Sequence, residues 1–319
     1  MIVGCGWIAR RHAAAARRLA IPVIFASRDA GRARAYAREF GGLDAFGSYA
    51  AALDDPRVRA AIVCTPHDRH LADVLLALGV GRHVLVEKPI ARTLEEADCM
   101  IAAAARAGRV LMVAENFRFM PGFRHVRRLI DAGRLGAVRE LHLIARGFRR
   151  HTGWRLEAPA GGGALIDGGI HYVHALRWWG GEVRRVYALR PRQTLENMAG
   201  EDAVDVLAEL EGGVVGLLAN SLAAGGVPRF QWSTVTGTSG TCFVDNRGRV
   251  VLTRGAGRPQ LRLFRRDTRG HEAMLAAFRE AMTTGGAREM DGAEGRRDLA
   301  VVLAAYRSIE ERRPVEPAC

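Results

Sequence analysis

The sequence predicts a two-domain α/β protein. An N-terminal doubly wound parallel sheet is expected over residues 1–118, followed over residues 119–319 by an α+β domain with an open, largely antiparallel sheet. Three observations carry this. Residues 2–9 read as a strand, a glycine turn and a helix start. Strands and helices then alternate to residue 114, and beyond Phe119 the rhythm becomes strand-rich, with two closing helices. A chain of 319 residues suits about two domains of ~100–200 residues each.

The opening apolar strand leads into Gly4-x-Gly6-x-x-Ala9 and a helix rich in alanine and arginine up to Leu19. The first glycine permits a tight turn and the second lets a pyrophosphate approach the backbone around Trp7 and Ile8. The small third residue lets helix pack on strand. Amides at that helix N-terminus are the expected seat of phosphates. Only three residues precede Gly4, which leaves open a start upstream of Met1.

The second strand, Pro22 to Ala26, ends in Ser27-Arg28, about 20 residues past the glycines, where an acidic residue would receive the ribose 2′-hydroxyl of NAD. A hydroxyl and a guanidinium suit the 2′-phosphate of NADP. NADP is therefore the expected cofactor, with NAD as the alternative if Asp29 takes the ribose.

Helices are expected at 31–39, 48–54, 69–78 and 94–107, with strands at 60–64, 83–86 and 110–114. The strands are continuous apolar runs, as in a parallel sheet covered on both faces. Ligands of such a sheet gather at the carboxyl ends of its strands. There lie Thr65-Pro66-His67, with His70 just beyond, then Glu87-Lys88-Pro89 and Glu115-Asn116. Lys88 is the only lysine among 47 lysines plus arginines. Lysine is a compact charge that can lower its pKa and share a proton, which arginine does not do. A position that kept lysine is a candidate for catalysis.

In the second domain, strands are expected at 138–147, 183–190, 203–211, 214–222, 229–236, 241–245 and 249–253, with helices from Phe119 to Asp131, at 271–283 and at 293–311. Gly212-Gly213 reads as a hairpin turn. Within this domain, residues 161–179 read as a glycine loop opening a helix. Asp167 and His171, four apart, share a helix face, and His174 lies on the neighbouring turn. A carboxylate beside an imidazole orients it and makes it a usable proton donor near neutrality. Gly168 and Gly169 inside the helix point to close approach of another element.

Composition narrows the classes further. The 49% hydrophobic and 25% charged content is that of an ordinary globular protein. No apolar run approaches a membrane span and no leader is visible, so a cytoplasmic protein without membrane contact is expected. Cys5, Cys64, Cys99, Cys242 and Cys319 are odd in number and never paired as CxxC, against both a disulfide framework and a zinc site. His67 and His70 form no metal trio, and no metal is expected. The net charge of +13 comes from scattered arginines without a docking helix or interleaved aromatics, so nucleic acid is not an expected partner.

With Gly4-Cys5-Gly6-Trp7-Ile8-Ala9, Glu87-Lys88-Pro89, Glu115-Asn116-Phe117-Arg118 and the 161–171 segment in this order, the chain resembles the Gfo/Idh/MocA oxidoreductases, nearly end to end. The resemblance implies a Rossmann domain holding a nicotinamide cofactor and a second domain for substrate and oligomerisation, commonly a homodimer or homotetramer built on the exposed sheet face. It implies that Lys88 orients the reacting oxygen, often from a cis Lys-Pro bond, that Asp167 pairs with it, and that His171 is the general acid/base. Trp154-Arg155 is similar to a pair that reaches the cofactor in an NADP-using reductase branch. The family's usual acidic residue three after the histidine is His174 here, which bears on substrate class. The basic loop from Arg146 to Arg155, with Arg149, Arg150 and His151, would suit an anionic substrate group. The function implied is hydride transfer between nicotinamide and a secondary alcohol or ketone of a sugar, cyclitol or related polyol. The rivals are a non-catalytic cofactor-binding regulator and an NAD-dependent redox glycosidase.

Overall fold

The protein is described here from a computed structural model that covers residues 1–150, 152–156, 161–225, 231–255, 257–285 and 289–318. His151, Cys319 and the first two residues of the strand expected at 229–236 lie outside the described residues. The chain divides into two compact units: residues 1–115 with 271–296, and residues 116–270 with 297–319.

The first unit contains β1 (Ile2–Val3), α1 (Trp7–Arg18), β2 (Ile24–Ala26), α2 (Ala30–Phe40), β3 (Asp44–Phe46), α3 (Tyr49–Leu53), β4 (Ala60–Val63), α4 (His70–Gly79), β5 (His83–Glu87), α5 (Leu94–Ala107) and β6 (Leu111–Ala114). Its six strands are parallel in the order β3-β2-β1-β4-β5-β6. That is the doubly wound arrangement anticipated from the apolar runs: Ile2, Phe25, Val63 and Leu85 are buried to completion. Strand order reverses between β1 and β4, so their carboxyl ends flank a crevice. β3 was not expected. Its exposed Asp44 and half-exposed Ala45 and Phe46 make no long apolar run, and the strand exists because β2 offers it an edge, with Ala45 opposite Phe25.

The second unit contains α6 (Pro121–Asp131), β7 (Val138–Arg146), a π-helical turn (Leu165–Gly169), α7 (Ile170–Gly180), β8 (Val183–Leu189), β9 (Ala203–Leu210), β10 (Val215–Ser221), β11 (Gln231–Gly237), β12 (Gly240–Asp245), β13 (Val250–Gly255) and β14 (Gly257–Leu263). The eight strands run in the order β14-β13-β12-β11-β7-β10-β9-β8, antiparallel except where β7 and β10 pair in parallel. The Gly212-Gly213 hairpin joins β9 to β10, with both glycines at positive φ. α7 packs on β7 and β10, and α6 on β12 and β13. β14 was also unexpected: Pro259 and alternating arginines disguise it, and an edge strand tolerates both.

The last two helices are α8 (His271–Thr284) and α9 (Gly292–Glu311). α8 packs on α1, Arg18 pairs with Glu272, and Val113 of β6 donates its N–H to the Met290 carbonyl at 2.7 Å. The first unit is therefore discontinuous in sequence, whereas the reading above assigned all of 119–319 to one domain. The reason is that β6 gains a backbone partner from the segment preceding α9.

α9 is tied to α7 by a buried ionic network. Asp298 accepts from Arg177 Nη1 at 2.5 Å and lies 3.0 Å from His174 Nδ1, while Arg177 Nε donates to Glu182 at 2.9 Å. Burial drives the Asp298 carboxyl up, but the charges and hydrogen bonds of His174 and Arg177 outweigh it and hold the group below the usual range. Removing Asp298 leaves buried His174 without its acid and buried Arg177 with only the half-exposed Glu182. Asp298→Ala is expected to destabilise the second unit by about 3–5 kcal/mol, measured by urea unfolding at pH 7.

Candidate active site

On the first unit, the residues around the β1–β4 crevice form a cradle. Gly4 sits at φ +88°, and a Cβ built there would meet the Cys64 carbonyl and the Thr65 side chain at 3.1 Å, so only glycine fits. Gly6 is the N-cap of α1, has no side-chain cap bond, and would have nothing within 4 Å of a Cβ. The first turn of α1 carries no acidic residue. Ala9 is fully buried, and the Tyr36 hydroxyl donates to the Gly6 carbonyl at 3.0 Å, fixing the turn. Trp7 is 57% exposed beside the turn, and Ile8 is half-buried against the same core. A glycine-only backbone next to a helix start with no acid fits a dinucleotide's phosphates.

β2 ends at Ala26. Ser27 is buried and accepts from the Asp29 N–H at 3.2 Å, while Arg28 is exposed. Asp29 is the N-cap of α2, its carboxylate accepting from the Arg32 N–H at 3.0 Å. The nearest acid thus caps α2 through one oxygen while its side chain stays 61% exposed.

At the end of β4, Thr65 and His67 are buried with Pro66 between them. His70 is fully buried, and its nitrogens lie 2.9 Å from the Pro89 carbonyl and 3.1 Å from the Thr65 carbonyl. It was expected to touch cofactor; its neutral ring carries one N–H, which donates to one of these two carbonyls and so ties the helix start to a neighbouring loop. Glu87 likewise turns inward. Its Oε1 is 2.6 Å from Nε2 of the fully buried His12, whose ring stands edge-on to His271. Burial drives the Glu87 carboxyl up, while the hydrogen bond to His12 and the charges of His12, Lys88 and His271 outweigh it and hold it below the usual range. The loop bearing half-exposed Lys88 is therefore anchored by an imidazole on each side, and the Lys88-Pro89 bond is cis.

On the second unit, the expected helix begins as a π-helical turn, a form frequent at functional sites. Asp167 lies in it, buried, and accepts from Arg155 Nε at 2.9 Å, while the Arg155 guanidinium sits 4.4 Å from the Trp154 ring centre. His171, on the first turn of α7, stacks on Phe117 at 4.5 Å and 8°. Of the two glycines between them, Gly169 is closely packed: a Cβ there would meet the Leu165 side chain at 2.7 Å and Asn220 at 3.2 Å, and the leucine would have to shift. Gly168 faces open space, against expectation. His174 is buried with its Nδ1 3.0 Å from Asp298, so the departure from the family's acid is absorbed by a buried partner. Asn116 Nδ2 donates to the Arg269 carbonyl at 2.8 Å. Sequence reasoning did not single out His12, Glu201 or Tyr306, and named Phe117 only within the Glu115-to-Arg118 motif. His12 lay within the motif helix with an available signal, its imidazole among alanines.

Residues 1–115 match the oxidoreductase family with an NAD-binding Rossmann fold, and residues 123–243 match the GFO/IDH/MocA C-terminal domain. The chain belongs to the Gfo/Idh/MocA oxidoreductases. It is 32% identical over 300 residues to 1,5-anhydro-D-fructose reductase of Ensifer adhaerens, spanning 90% of this chain and 88% of that protein. It is also 32% identical over 227 residues to trans-1,2-dihydrobenzene-1,2-diol dehydrogenase of Mus musculus, across 70% of this chain and 66% of that one. The solved structure of aldose-aldose oxidoreductase from Caulobacter crescentus, complexed with glycerol, is similar at TM-score 0.88 and 26% identity, covering 99% of this chain and 98% of that one. Family membership accounts for the glycine cradle and for the order of the two units' motifs.

Burial lowers the His70 pKa below 6.5 against the opposing pull of its carbonyl partners. As pH falls through 6.5, the unfolded chain takes up this proton before the folded one, so stability is lost toward acid. The slope attributable to His70 reaches ~1.4 kcal/mol per pH unit. His70→Gln is expected to flatten the decline in urea midpoint between about pH 6.5 and 5; an unchanged slope contradicts this.

Proposed function

We propose that the protein is an NADP-preferring oxidoreductase that interconverts a secondary alcohol and a ketone on a sugar, cyclitol or related polyol. The 32% identity with a sugar reductase across both units supports the substrate class, together with Lys88, Asp167 and His171 in the family's order. The exposed Arg28 just past β2 supports the cofactor preference, since its guanidinium suits the 2′-phosphate, with the Ser27 hydroxyl beside it. Gly4, Gly6, Trp7 and Ile8 would cradle the pyrophosphate, with Thr65, Pro66 and His67 beside it. Asn116, Trp154 and Arg155 would contribute from the second unit. The nicotinamide, when bound, supplies the hydride acceptor or donor.

The protein's own groups handle the proton and the geometry. Lys88 donates a hydrogen bond to the reacting oxygen and stabilises the charge that develops on it. His171, its ring plane set by Phe117, takes the proton on oxidation and returns it on reduction. Asp167 orients the substrate hydroxyls, while Arg155 holds its carboxylate in place. Arg149 and Arg150 lie in the same basic segment and suit an anionic group on the substrate.

The uncovered face of the second unit's sheet supports self-association. One transverse row runs Tyr187, Leu207, Leu217, His142, Thr234, Phe243, Leu252 and Leu261 across all eight strands. Leu207 and Leu252 are 51% and 39% exposed, and a second copy would cover such a face. The described cysteines Cys5, Cys64, Cys99 and Cys242 are free thiols, in keeping with a reducing compartment such as the cytoplasm. No described helix is long and apolar enough to cross a membrane.

Turnover of 1,5-anhydro-D-fructose and a panel of keto-sugars, followed at the nicotinamide band, tests the reading. Lys88→Ala should lower kcat by at least ~10²-fold, and comparable kcat would remove Lys88 from the chemistry. Arg28→Ala should raise KM for NADPH about tenfold, equivalent to ~1.4 kcal/mol, with KM for NADH unchanged. Equal or better kcat/KM with NADH in the wild type overturns the cofactor preference. Leu207→Glu with Leu252→Glu should shift light-scattering mass to the monomer.

A further inference from the structure

Every amide at the start of the π-helical turn has a protein partner. The Ala164 N–H donates to the Glu201 carbonyl at 2.8 Å, and the Leu165 N–H to the Glu201 carboxylate at 2.7 Å. The Ile166 N–H donates to the Tyr306 hydroxyl at 3.2 Å, and the Asp167 N–H to the Gly163 carbonyl at 3.1 Å. The Tyr306 hydroxyl in turn donates to the same Glu201 oxygen at 3.0 Å. Helix starts ordinarily leave these donors to solvent or to a capping side chain. Here a glutamate on the approach to β9 and a tyrosine of α9, 105 residues apart, supply the cap from two elements.

The surroundings are shaped to admit this pair. Gly163 has φ +152°, and a Cβ on it would strike the Glu201 carboxylate, while a Cβ on Gly200 would strike the Gly162 carbonyl. Glu201 is 7% exposed. The glycine run at 161–163 thus has a second purpose, which is to let a buried acid reach the helix start.

We propose that Glu201 and Tyr306 are positioning residues for Asp167, bracing the π-helical turn so that its carboxylate stays aligned for the reaction; this rests on the reading of Asp167 given above. A displacement of about 1 Å in such a group costs on the order of 10²-fold in rate. The brace touches no reacting atom and acts through Asp167 alone.

A double-mutant cycle tests it, with 1,5-anhydro-D-fructose and NADPH as the probe. Tyr306→Phe should lower kcat roughly 10–100-fold with KM within about twofold. In an Asp167→Asn background it should cost little more, because the group it positions is already gone. Additive losses in the two backgrounds, or an unaltered kcat beside a crippled Asp167→Asn enzyme, overturn the brace. An Asp167→Asn enzyme as active as wild type would instead sink the role of Asp167 itself. Glu201→Gln, which keeps an acceptor for Leu165, should retain far more activity than Glu201→Ala. Amide exchange needs no substrate: the Ile166 N–H should exchange at least about tenfold faster in Tyr306→Phe, and unchanged protection refutes the proposal.

Discussion

Unspent backbone N–H groups at helix starts are the constraint around which both halves of this protein are built. Each helix opens with donors that its own ladder leaves unsatisfied, and each must find a partner or a ligand. The two units solve this in opposite ways. At α1 no side chain caps the start and Gly4 and Gly6 clear the space in front of it, an arrangement suited to an anion. At the turn carrying Asp167, the donors are closed off by Glu201 and Tyr306. One helix start is left without a side-chain cap and the other is closed by two side chains of its own unit.

Buried imidazoles are the second recurring device. His12, His70 and His174 are each almost fully buried, and each spends nitrogen on a partner in another element. His12 and His70 pin the loop that carries Lys88 to α1 and α4, so the amine projects from a fixed base. His174 fastens α7 to α9, and with it the helix that presents His171. His12 and His70 thereby restrict a loop that would otherwise sample more conformations.

Much of the architecture could be read directly. Continuous apolar runs such as Ala60–Val63 marked the parallel strands, and alternation marked the antiparallel ones, because side-chain period follows burial on two faces or one. β3 and β14 escaped because edge strands need not be apolar, and Pro259 argued against the latter. The return of α8 to the first unit was invisible, since helix periodicity reports that a face is buried and not what buries it. In the site, Gly4, Lys88, Asp167 and His171 stood out by residue type and spacing. Glu87 and His70 stood out as well, but their side chains turned inward.

The chain's own order of residues determined the element types, the glycine-only turn at Gly4 and the family, because each follows from local sterics and short-range pattern. Only the folded structure decided which polar side chains became partners. Glu201 meets Tyr306, His174 meets Asp298 and His12 meets Glu87 across separations no local rule spans. Hydrogen bonding in the interior is chosen by which elements pack together, and that packing is a property of the whole chain.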